Sequence, residues 1–200
     1  MKQSKIFTDG EAEEWFARNQ DKLPNKDDPV IDSIVSARIK PRVVLEVGCS
    51  NGWRVKMMQK QFGCAAYGID PLFKNTLWNC IAGTADDLAM FTDNKFDVLI
   101  YGWCLYLCDR EDLFKIVSEG DRVLQEDGYL IIYDFHVAKP YRNKYKHKSG
   151  LYSYKMDYSQ LWLANPNYHL ISRLLFDTGD NRTSISILRK SIRTGWPLHG

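Results

Sequence analysis

The stretch VVLEVGCSNGW, Val43 to Trp53, joins a buried strand to a helix through a glycine-bearing turn. Its opening run is aliphatic and mostly β-branched, the pattern of a strand covered on both faces. The run carries a carboxylate, Glu46, and then Gly48 and Gly52, with Cys49, Ser50 and Asn51 between the glycines. Glycine permits positive φ and a close approach of backbone to a ligand. The next segment, GWRVKMMQKQFG, is an amphipathic helix that stops at Gly63. The loop therefore opens a helix, whose free N–H groups favour a carboxylate or other anionic group. In a parallel α/β sheet such loops bind ligands beyond the carboxyl ends of the strands, near the point where strand order reverses.

Strands and helices alternate on the C-terminal side of this stretch. CAAYGID reads as a second strand, LWNCIAG as a short third and KFDVLIYGW as a fourth. TADDLAMF reads as a helix, and a further helix runs from about Asp109 to Leu124. DGYLIIYDF is a fifth strand entered through a turn at Asp127-Gly128, and YHLISRLLF and RTSISILRK flank DTGDN as a closing hairpin. On the N-terminal side, Thr8 and Glu11 have capping-box spacing, and Ala12, Trp15, Phe16 and Asn19 share one face of the helix behind them. A second helix has Asp28 as its cap, Pro29 in its first turn and Pro41 past its end. The expected architecture is a doubly wound, mostly parallel seven-stranded α/β sheet of Rossmann-like type, with N-terminal helices and an antiparallel C-terminal hairpin. One domain is expected over residues 1–200: a helical cap (1–41), a ligand-binding core (42–136), a basic and aromatic segment (137–167) and the closing hairpin (168–190).

The bulk numbers agree with a globular protein. Of 200 residues, 44% are hydrophobic and 26% charged, too apolar for a disordered chain. No apolar run reaches the roughly 18 residues of a membrane span, and the N-terminus lacks the apolar core of a signal peptide, so a cytoplasmic location without membrane attachment is expected. The net charge of +2 does not by itself call for nucleic acid. Five cysteines, with no C-x-x-C pair, suggest neither a disulfide framework nor a zinc site, and no metal is expected.

Two further acids flank the glycine loop. Asp70 ends the second strand, and a carboxylate about 20 residues beyond the glycines suits the two hydroxyls of a ribose. Nicotinamide enzymes share that feature but usually carry G-x-G-x-x-G, whereas this loop has G-x-x-x-G; the lysine of a phosphate-binding Walker loop is absent. Glu46 would repel a pyrophosphate and suits a ligand with an ammonium or sulfonium group. Asp86, in GTADDL after the third strand, can accept a hydrogen bond from an adenine amino group or serve as a first-turn helix acid.

These residues resemble the class I S-adenosylmethionine-dependent methyltransferases over about residues 42–136. LEVGCSNG is similar to the glycine-rich motif, with serine at its middle glycine; GIDP to the ribose-binding acid; GTADDL to the adenine-contacting acid; KFDVLIYGWCLYL to the strand and loop facing the methyl group; and RVLQEDGYLII to the element RVLKPGG. The resemblance implies that Glu46, Gly48, Cys49, Ser50 and Gly52, then Asp70 and Pro71, Ala85 and Asp86, and Tyr101 and Gly102 face S-adenosyl-L-methionine. Cys49 reads as a loop filler, and Trp53 packs the helix start or touches the cofactor. A fainter likeness, carried by FTDGEAEEWFARN and SYKMDYSQLW, is to uncharacterised bacterial methyltransferases of surface-glycan gene clusters.

The acceptor is less legible, because a fold does not fix its substrate. The loop after the fourth strand lacks the NPPY or DPPY of base-amino methyltransferases, and NPNY at 165–168 reads as a turn. Lys139, Arg142, Lys144, Lys146 and Lys148 place five cations in ten residues, with Tyr141 and Tyr145 among them. This segment reads either as a solvated loop or as a lid that grips an anionic substrate with Arg142 and Lys146, beside Tyr106; single-stranded nucleic acid is a further candidate. His136 and, second, His147 are candidate bases for a hydroxyl acceptor. The leading expectation is a methyltransferase for a small, anionic molecule such as a sugar or nucleotide sugar. The alternatives are an RNA or DNA methyltransferase and a non-catalytic partner that binds the cofactor.

Overall fold

The computed structural model describes residues 2–23, 27–74, 79–177 and 182–192. A seven-stranded sheet forms the centre, made of β1 (Val43–Val47), β2 (Ala65–Asp70), β3 (Cys80–Ala82), β4 (Phe96–Gly102), β5 (Leu124–Phe135), β8 (Tyr168–Phe176) and β9 (Thr183–Lys190). Its order is β3-β2-β1-β4-β5-β9-β8. The first five strands are parallel, and β9 runs antiparallel to both of its neighbours. The Rossmann-like expectation and the closing hairpin both hold. The strand order reverses between β1 and β4, which pair side by side, so the crevice of a doubly wound sheet opens there.

Alternation along β1 sorts its side chains between two cores. Leu45 and Val47 pack with Leu99, Tyr101, Leu130 and Ile132 against α5 (Leu113–Val123) and α6 (Gln160–Leu163). Val44 faces the other way, with Val98, Ile100 and Ile131, onto α3 (Pro29–Ser36) and α4 (Trp53–Phe62). Glu46 is two residues from Val44 and shares its face. A carboxylate thus points into the layer of α3 and α4 at the upper end of a strand that is otherwise apolar. Asp28 caps α3 by accepting from Ile31 N–H at 3.1 Å, and Gly63 ends α4 with φ +66°.

Several local expectations are corrected. The first helix starts at Gln3, not at Thr8: α1 (Gln3–Ile6) runs through a π-helical turn, Phe7–Glu11, into α2 (Ala12–Asn19). Thr8 does not cap; its hydroxyl donates back to the Ser4 and Lys5 carbonyls. TADDLAMF is a chain of turns rather than a helix. There Asp87 accepts from Ala89 N–H, and the Leu88 N–H is taken by Glu119, so side chains satisfy the backbone in place of helical bonds. The Asp127-Gly128 turn is an irregularity within β5, with Asp127 at φ +62°. Residues 139–148 are not a loop throughout: β6 (Tyr141–Lys144) pairs with β7 (Tyr152–Lys155) as a separate antiparallel ribbon. NPNY is a turn that leads into β8, as expected. Most of the DTGDN turn, and the first two residues of LWNCIAG, lie outside the described residues. Among the described residues no helix is long and apolar enough to cross a membrane.

Candidate functional site

A cavity of about 460 Å³ lies over the carboxyl ends of β1, β2 and β4, within the usual size range of small-molecule sites. Its wall follows the sheet order. Asp86 stands beyond β3, Asp70 ends β2, Glu46 belongs to β1, Trp103 and Tyr106 follow β4, and Tyr133 comes from β5. Asp70 and Asp86 therefore lie toward one edge of the sheet and Trp103, Tyr106 and Tyr133 toward the other, with Asp109 and Asp112 following Tyr106 along the chain.

The glycine loop is held by Asp70. Its Oδ2 accepts from Ser50 N–H at 2.8 Å and its Oδ1 from Leu72 N–H at 2.8 Å. Burial pushes this carboxyl up, and those two N–H groups partly offset the rise. Gly48, Ser50 and Gly52 have φ of +79°, +50° and +76°. Serine at the middle position thus adopts the left-handed conformation natural to glycine. Gly48 is also sterically required, because a Cβ there would lie 2.5 Å from Cys104 Cβ.

Glu46 is not a free carboxylate. Its Oε1 accepts from Arg54 Nη1, while Arg54 donates from Nε and Nη2 to the two oxygens of Asp28 at 2.9 and 3.0 Å. All three groups are buried, with Glu46 2% and Arg54 5% exposed. Gly102 makes room for the cluster, since a Cβ there would meet Arg54 Nη1 at 2.7 Å. Two carboxylates share one guanidinium, so the cluster keeps an excess negative charge. Burial raises the Glu46 carboxyl to about 7 against the pull of Arg54. Glu46 Oε2 and the Ser50 hydroxyl are buried without hydrogen-bond partners, and both residues line the cavity. Asp86 accepts from the Thr84 hydroxyl at 2.7 Å and pairs with Lys115 at 3.2 Å; burial pushes its carboxyl up, but these partners outweigh it and hold it below the usual value.

The predicted site residues divide clearly. Glu46, Gly48, Ser50, Asp70, Pro71, Ala85, Asp86, Gly102 and Tyr106 line the cavity. Cys49, Gly52 and Tyr101 do not. Cys49 is buried beneath the loop against Gly68, Gly52 approaches Cys80, and Tyr101 is a core residue whose hydroxyl donates to the Ile116 carbonyl at 3.4 Å. His136 and His147 are also outside the wall. His136 Nδ1 is 3.5 Å from Asp157 Oδ2, and His147 is an exposed ring against Tyr145. Arg142 and Lys146 do not line the cavity either: the Arg142 guanidinium lies 4.5 Å over the Tyr152 ring, and Lys146 is exposed in the segment between β6 and β7. Trp53 both lines the cavity and packs, its ring 4.4 Å from the Arg54 guanidinium.

Three contributors were missed in the sequence. The N-terminal helices roof the cavity through Phe7, Ala12, Trp15 and Asn19. They are fastened by Asp109, which accepts from the Gln3 and Ser4 N–H groups at 2.7 and 2.9 Å, and by the Gln3 side chain, which donates to the Leu107 and Tyr152 carbonyls. The shared face of Ala12, Trp15 and Asn19 was the available signal; what it covers was not readable. Asp134, buried at the end of β5, accepts from Tyr106 N–H at 3.3 Å and so positions the turn that carries Tyr106; burial raises its carboxyl to about 7. Trp103 was passed over within YGWCLYL.

Residues 45–132 match the family model described as a methyltransferase domain. No curated protein matches the chain in sequence. Among solved structures, the 1,6-didemethyltoxoflavin-N1-methyltransferase of Burkholderia thailandensis, bound to 1,6-didemethyltoxoflavin and S-adenosylhomocysteine, is 14% identical with a TM-score of 0.69, over 94% of this chain and 90% of that one. A SAM-dependent methyltransferase of Methanosarcina mazei is 16% identical with a TM-score of 0.60, over 83% of this chain and 99% of that one. Geranyl diphosphate methyltransferase in complex with GPP and sinefungin is 11% identical with a TM-score of 0.53, over 75% and 72% of the two chains. At these identities the structural likeness speaks for the fold.

Proposed function

We propose that this chain is a class I S-adenosylmethionine-dependent methyltransferase that methylates a small-molecule acceptor enclosed beneath its N-terminal helices. The observation that carries the reading is the roofed cavity itself, with Asp70 and Asp86 at the ends of β2 and β3 and Trp103, Tyr106 and Tyr133 toward β4 and β5. A roof of helices suits a small molecule better than a polymer. The cations once expected to grip an anion or a nucleic acid lie outside the wall. The Burkholderia neighbour acts on a small heterocycle, which supports the same reading.

The buried, unmatched oxygens of Glu46 and Ser50 fit a cofactor with an ammonium group. Glu46, with Arg54 and Asp28 behind it, would hold the methionine amino group; the free lone pairs of Asp70 would take the ribose hydroxyls; Asp86 would meet the adenine. The chemistry that the cofactor supplies when bound is an electrophilic methyl group on a sulfonium sulfur. The protein's task is then alignment, holding the acceptor atom within about 3–3.5 Å of the methyl along its line of departure. Trp103, Tyr106 and the N-terminal roof form the walls that impose this alignment and exclude water. Neither His136 nor His147 belongs to the wall of this cavity.

Calorimetry with S-adenosylhomocysteine tests the reading. Binding is expected, and Asp70→Ala should weaken it by about 1.5–3 kcal/mol, the range for a hydrogen bond to a charged group. A folded protein that gives no heat at millimolar ligand would sink the assignment. The same titration should depend on pH. Only ionised Glu46 attracts an ammonium, and its carboxyl stands near 7 in the free protein. Binding therefore releases a proton, and affinity should fall as pH drops from 7.5 to 6. Glu46→Gln should flatten that dependence; an unchanged slope would remove Glu46 from the ammonium site.

A further inference from the structure

We infer that Trp103 is the stacking platform of the acceptor site, and that the acceptor is a planar, uncharged heteroaromatic molecule rather than a phosphorylated one. The inference rests on the methyltransferase reading and adds the substrate class to it.

The backbone gives the first reason. Trp103 has φ +57°, a conformation that is unusual for a bulky side chain and is kept only where the surroundings impose it. Its N–H donates to the Tyr133 carbonyl at 2.8 Å, which fixes this first residue beyond β4. The strained backbone directs an indole onto the cavity wall at the end of the strand next to Glu46.

The ring's surroundings give the second. Tyr106 meets the indole at 89° with centroids 6.1 Å apart, Phe135 at 86° and 5.4 Å, and Tyr133 at 58° and 4.9 Å. These neighbours brace the indole by edge and tilted contacts, and none of them stacks parallel to it. A braced indole on a cavity wall can receive a planar ring by offset stacking.

Charge gives the third. The cations of the wall are Lys22 and Arg54. Arg54 is fully engaged by Asp28 and Glu46, and Lys22 belongs to an exposed turn. Asp109 and Asp112 add two further carboxylates, the first accepting from the Gln3 and Ser4 N–H groups and the second paired with Lys2. A phosphate or diphosphate would meet more negative than positive groups here, whereas an uncharged heterocycle incurs no such repulsion.

The test uses the full chain loaded with S-adenosylhomocysteine and three probes: lumazine, quinoline and UDP-glucose. Saturation-transfer NMR and calorimetry should show lumazine or quinoline binding, and UDP-glucose binding more weakly than either. Trp103→Phe should retain the planar probe. Trp103→Gly, which also relieves the left-handed strain, should weaken it roughly tenfold or more, as expected on removing an aromatic stacking partner. Affinity for S-adenosylhomocysteine should stay within about twofold in both variants, because the change is confined to the acceptor side. The inference is overturned if UDP-glucose binds best, if neither planar probe binds, or if Trp103→Gly binds the planar probe as the parent does. Failure of the parent protein to bind S-adenosylhomocysteine would instead overturn the underlying methyltransferase assignment, and the inference with it.

Discussion

Arg54→Met is expected to lower folding stability at pH 7 by about 3–5 kcal/mol, the range for removing one partner from a buried ion pair. Arg54 is the only positive charge between Asp28 and Glu46 in the described cluster, and all three are buried. Without it, the Asp28 and Glu46 carboxyl groups face each other in a low-dielectric layer between β1, α3 and α4, and the repulsion is relieved only by keeping a proton on Glu46. Methionine fills most of the volume, so the loss measures charge rather than a cavity. The pH dependence identifies the cause. Burial already raises the folded-state Glu46 carboxyl to about 7, above the usual glutamate range, and losing Arg54 moves it further up. A group raised on folding binds more protons in the native state, so its contribution falls as pH rises between the two values. The deficit of Arg54→Met should therefore shrink when urea unfolding is repeated at pH 5.5. Adding Glu46→Gln should recover part of it at pH 7. A deficit independent of pH, or no deficit, would mean that the cluster is not an electrostatic unit.

This cluster also marks the limit of what the sequence disclosed. Glu46 stood out because a carboxylate interrupts an aliphatic run, and its place beside the loop was legible. Its partner was not: Arg54 reads as an ordinary residue of an amphipathic helix, and Asp28 as a helix cap. Only the packing of α3 and α4 on one face of β1 brings the three together. The succession of strands and helices along the chain followed from hydrophobic runs and glycine turns, which are local signals. TADDLAMF failed as a helix because Glu119, far along the chain, takes a backbone N–H that a helix would have used. The basic segment misled for a related reason. Its charges are dense, but β6 pairs with β7, Lys148 pairs with Glu14 of the N-terminal helix at 2.9 Å, and none of the five cations belongs to the cavity wall. The roof was hidden because a helical face shows that something is covered, not what.

The second large effect is expected at Gly48. Gly48→Val should abolish binding of S-adenosylhomocysteine at millimolar concentration. The physical reason differs from simple filling of the cofactor's space. A Cβ at this position would lie 2.5 Å from Cys104 Cβ and 3.1 Å from Cys104 Sγ, and φ is +79°. The left-handed conformation alone costs a branched residue about 1–2 kcal/mol. The clash then forces the loop away from the turn after β4, and the Cys104 thiol loses the Val47 carbonyl that it now donates to at 3.3 Å. Loop displacement also strains the Gly48 N–H bond to the Ile69 carbonyl, 2.8 Å long, which ties the glycine turn to β2. Glu46 and Ser50, on either side, would move with it. Gly48→Ala should be milder, weakening binding by roughly tenfold, about 1.4 kcal/mol. The partner variant Cys104→Gly removes the obstructing Cβ, so Gly48→Ala combined with it should bind more tightly than Gly48→Ala alone. Circular dichroism and urea unfolding of each variant separate lost binding from lost fold. If Gly48→Val folds and binds S-adenosylhomocysteine like the parent, the cofactor does not lie against this loop; if Cys104→Gly gives no rescue, the close approach of Gly48 to Cys104 is not what the loop depends on.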